Sequence, residues 1–277
     1  MSQPPLLSDR DMLTRQRARA LRAGPELFLH EDAAVELQER LLEVNKEFTS
    51  PALITPFPSV FADVLPGAKV VADTDRLDLE DGAHDLVVHA MCLHWANDPV
   101  GQMVQAARAL KPDGLFLCVM FGGRTLSELR ACLAEAEIAV SGGLSPRVLP
   151  MGEIRELGAL IQRVGLALPV ADTVTRHVKY SDPMTLLRDL RHMGEGNALN
   201  GRIRHFTRRT VLIEALQRYV DAHCDDQGRV TATFDMVWLT GWKPHTSQQK
   251  PLRPGSAQQR LADALGTQEY PSGERPI

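Results

Sequence analysis

The sequence predicts an open α/β domain on a mostly parallel sheet, with a Rossmann-like succession of strands and helices. Short, nearly continuous apolar runs recur at 52–54 (ALI), 69–72 (KVVA), 85–91 (DLVVHAM) and 115–121 (LFLCVMF). Helical or turn-rich stretches separate them, and capping residues stand at the junctions. A strand that is apolar on both faces needs cover on both, which is the condition of a parallel sheet between helix layers. With 277 residues, 44% of them hydrophobic, the chain can bury such a core.

The elements follow in order. Residues 8–22 form a helix with Ser8 as its candidate N-cap, carrying Arg10, Arg15, Arg17, Arg19 and Arg22. A solvated charged helix is the simpler account of these arginines, a site for an anionic partner the sharper one. A second helix spans 31–47, with Ala34, Leu37, Leu41, Leu42 and Val44 in a helical stripe. Asp98 followed by Pro99 caps and opens a helix through Met103, Ala106, Ala107 and Leu110. Lys111-Pro112-Asp113-Gly114 then turns the chain into the next strand, with Gly114 free to take positive φ. Residues 151–164 make an amphipathic helix closed by Gly165. Late strands at 173–180 and 230–240 enclose helices at 183–192 and 207–222, which suggests a helical cap at about 181–225. The expected organisation is N-terminal helices at 1–48, the α/β domain at 49–245 and a flexible tail at 246–277, with one helical candidate at 256–265.

Charge and cysteine usage narrow the partners. A net charge of -4 gives no basic excess with which to neutralise phosphates, so no nucleic-acid partner is expected. Cys92, Cys118, Cys132 and Cys224 lie far apart, without a CxxC pair or zinc spacing. They read as reduced thiols, giving a cytoplasmic expectation and no metal. There is no apolar leader core and no run of 18 apolar residues, so no transmembrane segment is expected.

A resemblance then emerges from linked motifs. Val71-Ala72-Asp73, Asp85-Leu86-Val87-Val88, Leu93-His94-Trp95-Ala96-Asn97-Asp98 and Leu110-Lys111-Pro112-Asp113-Gly114 resemble the second half of a class I S-adenosylmethionine-dependent methyltransferase. The runs Met120-Phe121-Gly122-Gly123-Arg124-Thr125-Leu126, Gly142-Gly143-Leu144-Ser145-Pro146, Asp189 to Asn197 and Gly241 to Gln248 narrow the likeness. Within the superfamily they resemble the complex I assembly factors of methyltransferase fold and their alphaproteobacterial relatives. The biotin-synthesis methyltransferases are more distant. The likeness covers about residues 70–257. It implies a class I sheet, S-adenosylmethionine as cofactor, and a protein partner or protein substrate.

The cofactor half departs from what the resemblance implies. A class I enzyme turns after its first strand on glycines, because the backbone must approach the cofactor and point N–H groups at it. Here Ala52-Leu53-Ile54 is followed by Thr55-Pro56-Phe57-Pro58-Ser59, and no glycine occurs between Gly24 and Gly67. Two prolines remove donors, and Phe57 adds bulk. Only the 30 residues 55–84 separate Ile54 from Asp85, room for about one βαβ crossover where a full class I sheet has two. One β-α element is therefore expected to be missing. By the resemblance Asp73 matches the acidic position that contacts the adenine amino group, while the ribose carboxylate has no counterpart; Asp75 is near but out of register.

The remaining candidates have double readings. His94 and Trp95 follow the fourth strand at the edge where α/β sheets bind ligands, or they pack as aromatics beside a cap. Asn97 and Asp98 are explained by capping. Glu195 and Asn197, in Gly194-Glu195-Gly196-Asn197, line a pocket for substrate or partner, or mark a flexible loop. His30 and Asp32 have the H-x-D form of an iron pair, but Asp32 in a first helical turn explains it better. Two functions stay open: a transferase or protein-modifying enzyme using S-adenosylmethionine, and a pseudoenzyme platform in respiratory complex assembly. A cofactor cleft filled by Phe57 favours the platform; an open path from Asp73 to His94 and Trp95 favours the enzyme.

Overall fold

In the computed structural model, which describes residues 6–248, 263, 266 and 267, the apolar runs pair into one six-stranded sheet. β1 (Pro51–Ile54) lies between β2 (Lys69–Val71) and β3 (His84–Ala90), parallel to both. β4 (Leu110–Gly122) continues the parallel order beside β3. β6 (Val230–Trp242) runs antiparallel to β4, and β5 (Ala167–Tyr180) antiparallel to β6 at the edge, giving β2-β1-β3-β4-β6-β5. In a sheet with two crossovers before β3, two strands would flank β1 on the outside; here there is one. The link from β1 to β2 holds only a 3-10 turn at Pro58–Phe61.

Side chains alternate across the sheet with period two. Leu86, Val88, Leu115, Leu117, Val119 and Phe121 enter one core, while Val87, Phe116, Cys118 and Met120 enter the other. Each fully buried large aliphatic side chain contributes about 1.5–3 kcal/mol, so the central strands anchor everything at their ends. On the first face α2 (Phe28–Val44) adds Leu29, Ala33 and Leu37. On the second, α3 (Pro99–Ala109) adds Met103 and Ala106. α3 starts as its sequence reads: Asp98 accepts from the Gly101 N–H at 2.7 Å, with Pro99 in the first turn.

Five further helices complete the unit Met1–Pro244, and His245–Ile277 form a second unit. α1 (Arg10–Ala23) precedes α2. α4 (Ser127–Ser141) follows β4, and α5 (Ile154–Arg163) precedes β5, its exit turn using Gly165 at φ 84°. α6 (Pro183–His192) and α7 (Arg209–His223) lie between β5 and β6, and α7 packs Val211 and Ala215 on Ala136 of α4. The tail helix candidate at 256–265 falls outside the described residues save Asp263.

Several local expectations are corrected. Asp9, not Ser8, caps α1, accepting from the Met12 N–H at 3.0 Å. Ser8 is buried and its Oγ donates to the Trp95 carbonyl at 2.7 Å. The positive φ of the turn at 111–114 falls on Asp113, at 62°, within the first residues of β4. Gly114 is required for another reason: a Cβ there would stand 2.9 Å from the Lys111 carbonyl oxygen. Cys92 lies just past β3 rather than in it. Helix α4 escaped the sequence reading, because its N-cap position is held by Leu126, which supplies no capping side chain.

Candidate functional site

The carboxyl ends of β1, β2 and β3 converge on a buried polar cluster closed by α1. Leu13, Arg17 and Ala20 form the buried stripe of α1. The i, i+4, i+7 spacing carries Arg17 inward with its apolar neighbours. Its Nη1 donates to Asp73 Oδ2 at 2.8 Å. Arg10, seven residues earlier and on the same face, donates from Nη2 to Asp73 Oδ1 at 3.0 Å and also bonds the Asp73 carbonyl. The expected solvated helix therefore turns two of its arginines into the protein.

Asp73 and Arg17 are both largely buried, with side chains 11% and 9% exposed. Burial opposes the charge on Arg17, and the carboxylates of Asp73 and Glu195 outweigh it, so its pKa is raised. Glu195 Oε2 accepts from Trp95 Nε1 at 2.7 Å and meets His94 Nε2 at 3.3 Å. Burial pushes the Glu195 pKa up, but His94, Arg17 and Trp95 together hold it below the ordinary carboxylate range. Three of the candidate residues, His94, Trp95 and Glu195, thus form one contact group, and Arg17 links it to Asp73.

The α1 seal is tight because the facing loop has no side chains in the way. A Cβ on Gly194 would come 2.9 Å from Arg17 Cγ, and one on Gly196 2.9 Å from Gln16 Oε1. Ser8 N–H donates to Asn97 Oδ1 at 2.8 Å, and Arg202 pairs with Asp9 at 2.9 Å. The loop read as flexible is a docking groove for α1. Asn97 joins this clamp; Asp98 remains the cap of α3.

Next to it, Phe57 is 1% exposed and meets the buried His30 edge-on, ring centroids 5.1 Å apart. Burial lowers the His30 pKa to about 4, and neither of its ring nitrogens has a hydrogen-bond partner among the described residues. Asp32 turns away to Arg176 at 2.9 Å, so the H-x-D residues do not converge. Among the described residues no group of three or more His, Cys, Asp or Glu is arranged to hold a metal ion. Asn197 serves loop geometry: its Nδ2 donates to the Pro146 carbonyl at 2.9 Å and its Oδ1 accepts from Leu199 N–H at 3.0 Å.

A cavity of about 530 Å³ opens on the cap side of this cluster. Phe121, Leu129, Met151, Leu187 and Phe234 line it, and Trp95, Glu195 and Asn197 form part of its wall. Asp73, His94 and Phe57 do not line it. Arg10 and Arg17, read from the sequence as a solvated or anion-binding helix, and His30, read with Asp32, belong instead to the buried cluster around Asp73 and Phe57. For Arg17 the signal was its place between Leu13 and Ala20.

With the sheet order and this edge established, the comparisons with known proteins fall into place. A family profile described as a methyltransferase domain matches residues 26–118. The mitochondrial arginine-hydroxylase NDUFAF5 of Dictyostelium discoideum is 38% identical over 198 residues, 71% of this chain and 45% of that protein. The chain is similar in sequence to members of the methyltransferase superfamily. A second relative within the superfamily is the malonyl-[acyl-carrier protein] O-methyltransferase of Methylovorus sp., 33% identical over 175 residues, covering 63% of this chain and 56% of that protein. The chain spans about half the length of these curated relatives. Among solved structures, the YcgJ protein of Bacillus subtilis aligns at 13% identity and a TM-score of 0.48, over 76% of this chain and 99% of that one. The arginine-hydroxylase relatives are mitochondrial proteins by name, which overturns the cytoplasmic expectation drawn from the cysteines. Reduced thiols mark a reducing compartment without saying which one. Among the described residues no helix is long and apolar enough to cross a membrane.

Proposed function

We propose that this methyltransferase-like chain is a binding protein for the assembly of a protein complex, and that its own first helix occupies the cofactor cleft. The observation that carries the reading is Asp73, whose two carboxylate oxygens are taken by Arg10 and Arg17. The residues at the ends of β1 and β2 do not fit S-adenosylmethionine. The turn after β1 lacks glycine, Phe57 fills the space beside it, and Asp73, just past the end of β2, is already paired with Arg10 and Arg17. Withdrawing Arg17 to admit a ligand would leave a buried carboxylate short of a partner, at a cost of about 3–5 kcal/mol that the ligand would have to offset.

The likeness to complex I assembly factors suggests a protein partner, with respiratory complex assembly as the setting. Isothermal titration of the full chain with S-adenosylmethionine and S-adenosylhomocysteine tests the reading. We expect no binding at concentrations up to about 100 μM, and a tighter constant, equivalent to more than about 5.5 kcal/mol, overturns it.

The second reading is a protein-modifying enzyme. It is favoured by Glu195, an ionised carboxylate held by Trp95 and His94 in the cavity wall, and by the arginine-hydroxylase name of the relatives. Measurable cofactor binding in the same titration supports this second reading.

A further inference from the structure

The cap-side cavity pairs an apolar interior with cations that the fold does not use. Arg19 from α1 and Arg188 and Arg191 from α6 line it, and all three are exposed, which places them at its mouth. Arg188 and Arg191 stand three residues apart on one helix, and α1 packs on α6, so the three guanidinium groups approach from two adjoining helices. Elsewhere the arginines of this region are committed: Arg17 to Asp73, Arg147 to Glu137, Arg202 to Asp9. Among the described residues, the side chains of Arg19, Arg188 and Arg191 make no hydrogen bond or ion pair. Deeper in, Leu129, Leu187, Phe121 and Phe234 offer no polar atom to a ligand.

We infer that this cavity binds a single-chain amphipathic anion, with its carboxylate or phosphate head at the three arginines and its apolar chain against Leu129, Phe121 and Phe234. Charge complementarity selects the head, because guanidinium forks match planar or tetrahedral oxyanions. Volume selects the size: about 530 Å³ lies within the range of small-ligand sites and is too small for a folded partner. The unsatisfied cations also fix the orientation, since an anionic head driven inward would meet Glu195. The inference goes beyond the proposed function and holds whether or not S-adenosylmethionine binds.

The test is a titration of the full chain, without S-adenosylmethionine, by dodecanoate, dodecyl phosphate and neutral dodecanol below their aggregation concentrations. One-to-one stoichiometry is read by native mass spectrometry and affinity by calorimetry. Saturable binding of at least one anion, with dodecanol at least about tenfold weaker, is expected from the loss of charge-assisted hydrogen bonds. R188E/R191E, at exposed positions, should weaken the anion by about tenfold or more, and Leu187→Trp should block it by filling the cavity. Circular dichroism melts verify that both variants remain folded. Failure of both anions to bind, equal binding of dodecanol, or undiminished affinity in either folded variant overturns the inference.

Discussion

Two regions meet at Trp95 and Glu195, and they treat charge in opposite ways. On the β1–β2 side the carboxylates are paired internally: Arg10 and Arg17 close on Asp73, and Glu195 closes on Trp95 and His94, while Arg17 Nε and Nη2 stay buried without a hydrogen-bond partner among the described residues. On the cap side, Arg19, Arg188 and Arg191 surround an apolar cavity with no protein partner among the described residues. The first arrangement stabilises a helix against a sheet edge, and the second leaves a binding potential unspent. The difference points to the exposed arginines at the cavity mouth, rather than to the buried pairs at the ends of β1 and β2, as a place to look for a ligand.

Four measurements would break or sharpen this contrast. The largest effect is expected from Phe57→Ala, which empties a fully buried aromatic position at the end of β1 and should lower unfolding stability by about 3–5 kcal/mol in a urea titration. A loss below about 1 kcal/mol would mean that Phe57 is not sealing the cleft. Arg17→Met should follow at about 3 kcal/mol, the low end for a broken buried pair because Arg10 still reaches Asp73.

Acid should act next. Burial holds His30 and His89 at a pKa of about 4 in the folded chain, against an ordinary 6.5. The unfolded chain therefore takes up protons first as pH falls. The contribution of these two histidines, present above about pH 6.5, is lost progressively towards pH 4 and then levels. Each histidine adds a slope of up to about 1.4 kcal/mol per pH unit. Urea midpoints between pH 7 and 5 should show the decline, and His30→Leu should flatten it by one histidine's share; an unchanged slope in that variant would remove His30 from the account. The smallest effect belongs to the cap side, where Arg191→Ala should leave stability within about 0.5 kcal/mol. A larger loss in the same titration would show that this arginine is structurally committed after all.

Much of the fold was legible residue by residue. The alternation of Leu86, Val87 and Val88 fixes opposite faces of β3, and Asp98-Pro99 starts α3 where it reads. The shortened span between Ile54 and Asp85 foretold a sheet one β-α element short. Of the site, the seal could have been anticipated from one side only: Leu13, Arg17 and Ala20 share a helical face, so Arg17 had to be buried with them. Its partner could not be read, because Asp73 lies 56 residues further along the chain. Glu195 was similarly visible as a polar residue between glycines, while the reason for the glycines, close approach by Gln16 and Arg17, was not.

The sequence by itself determined the strand pattern, the cap of α3 and the absence of a glycine turn after β1, because these depend on side-chain period and backbone freedom over a few residues. Tertiary structure alone decided that α1 closes on Asp73, that Trp95 and His94 share Glu195 across about 100 residues, and that three arginines at one cavity mouth make no hydrogen bond or ion pair among the described residues. Those outcomes depend on which distant charges meet once both faces of the sheet are covered, and local periodicity carries no information about such pairings.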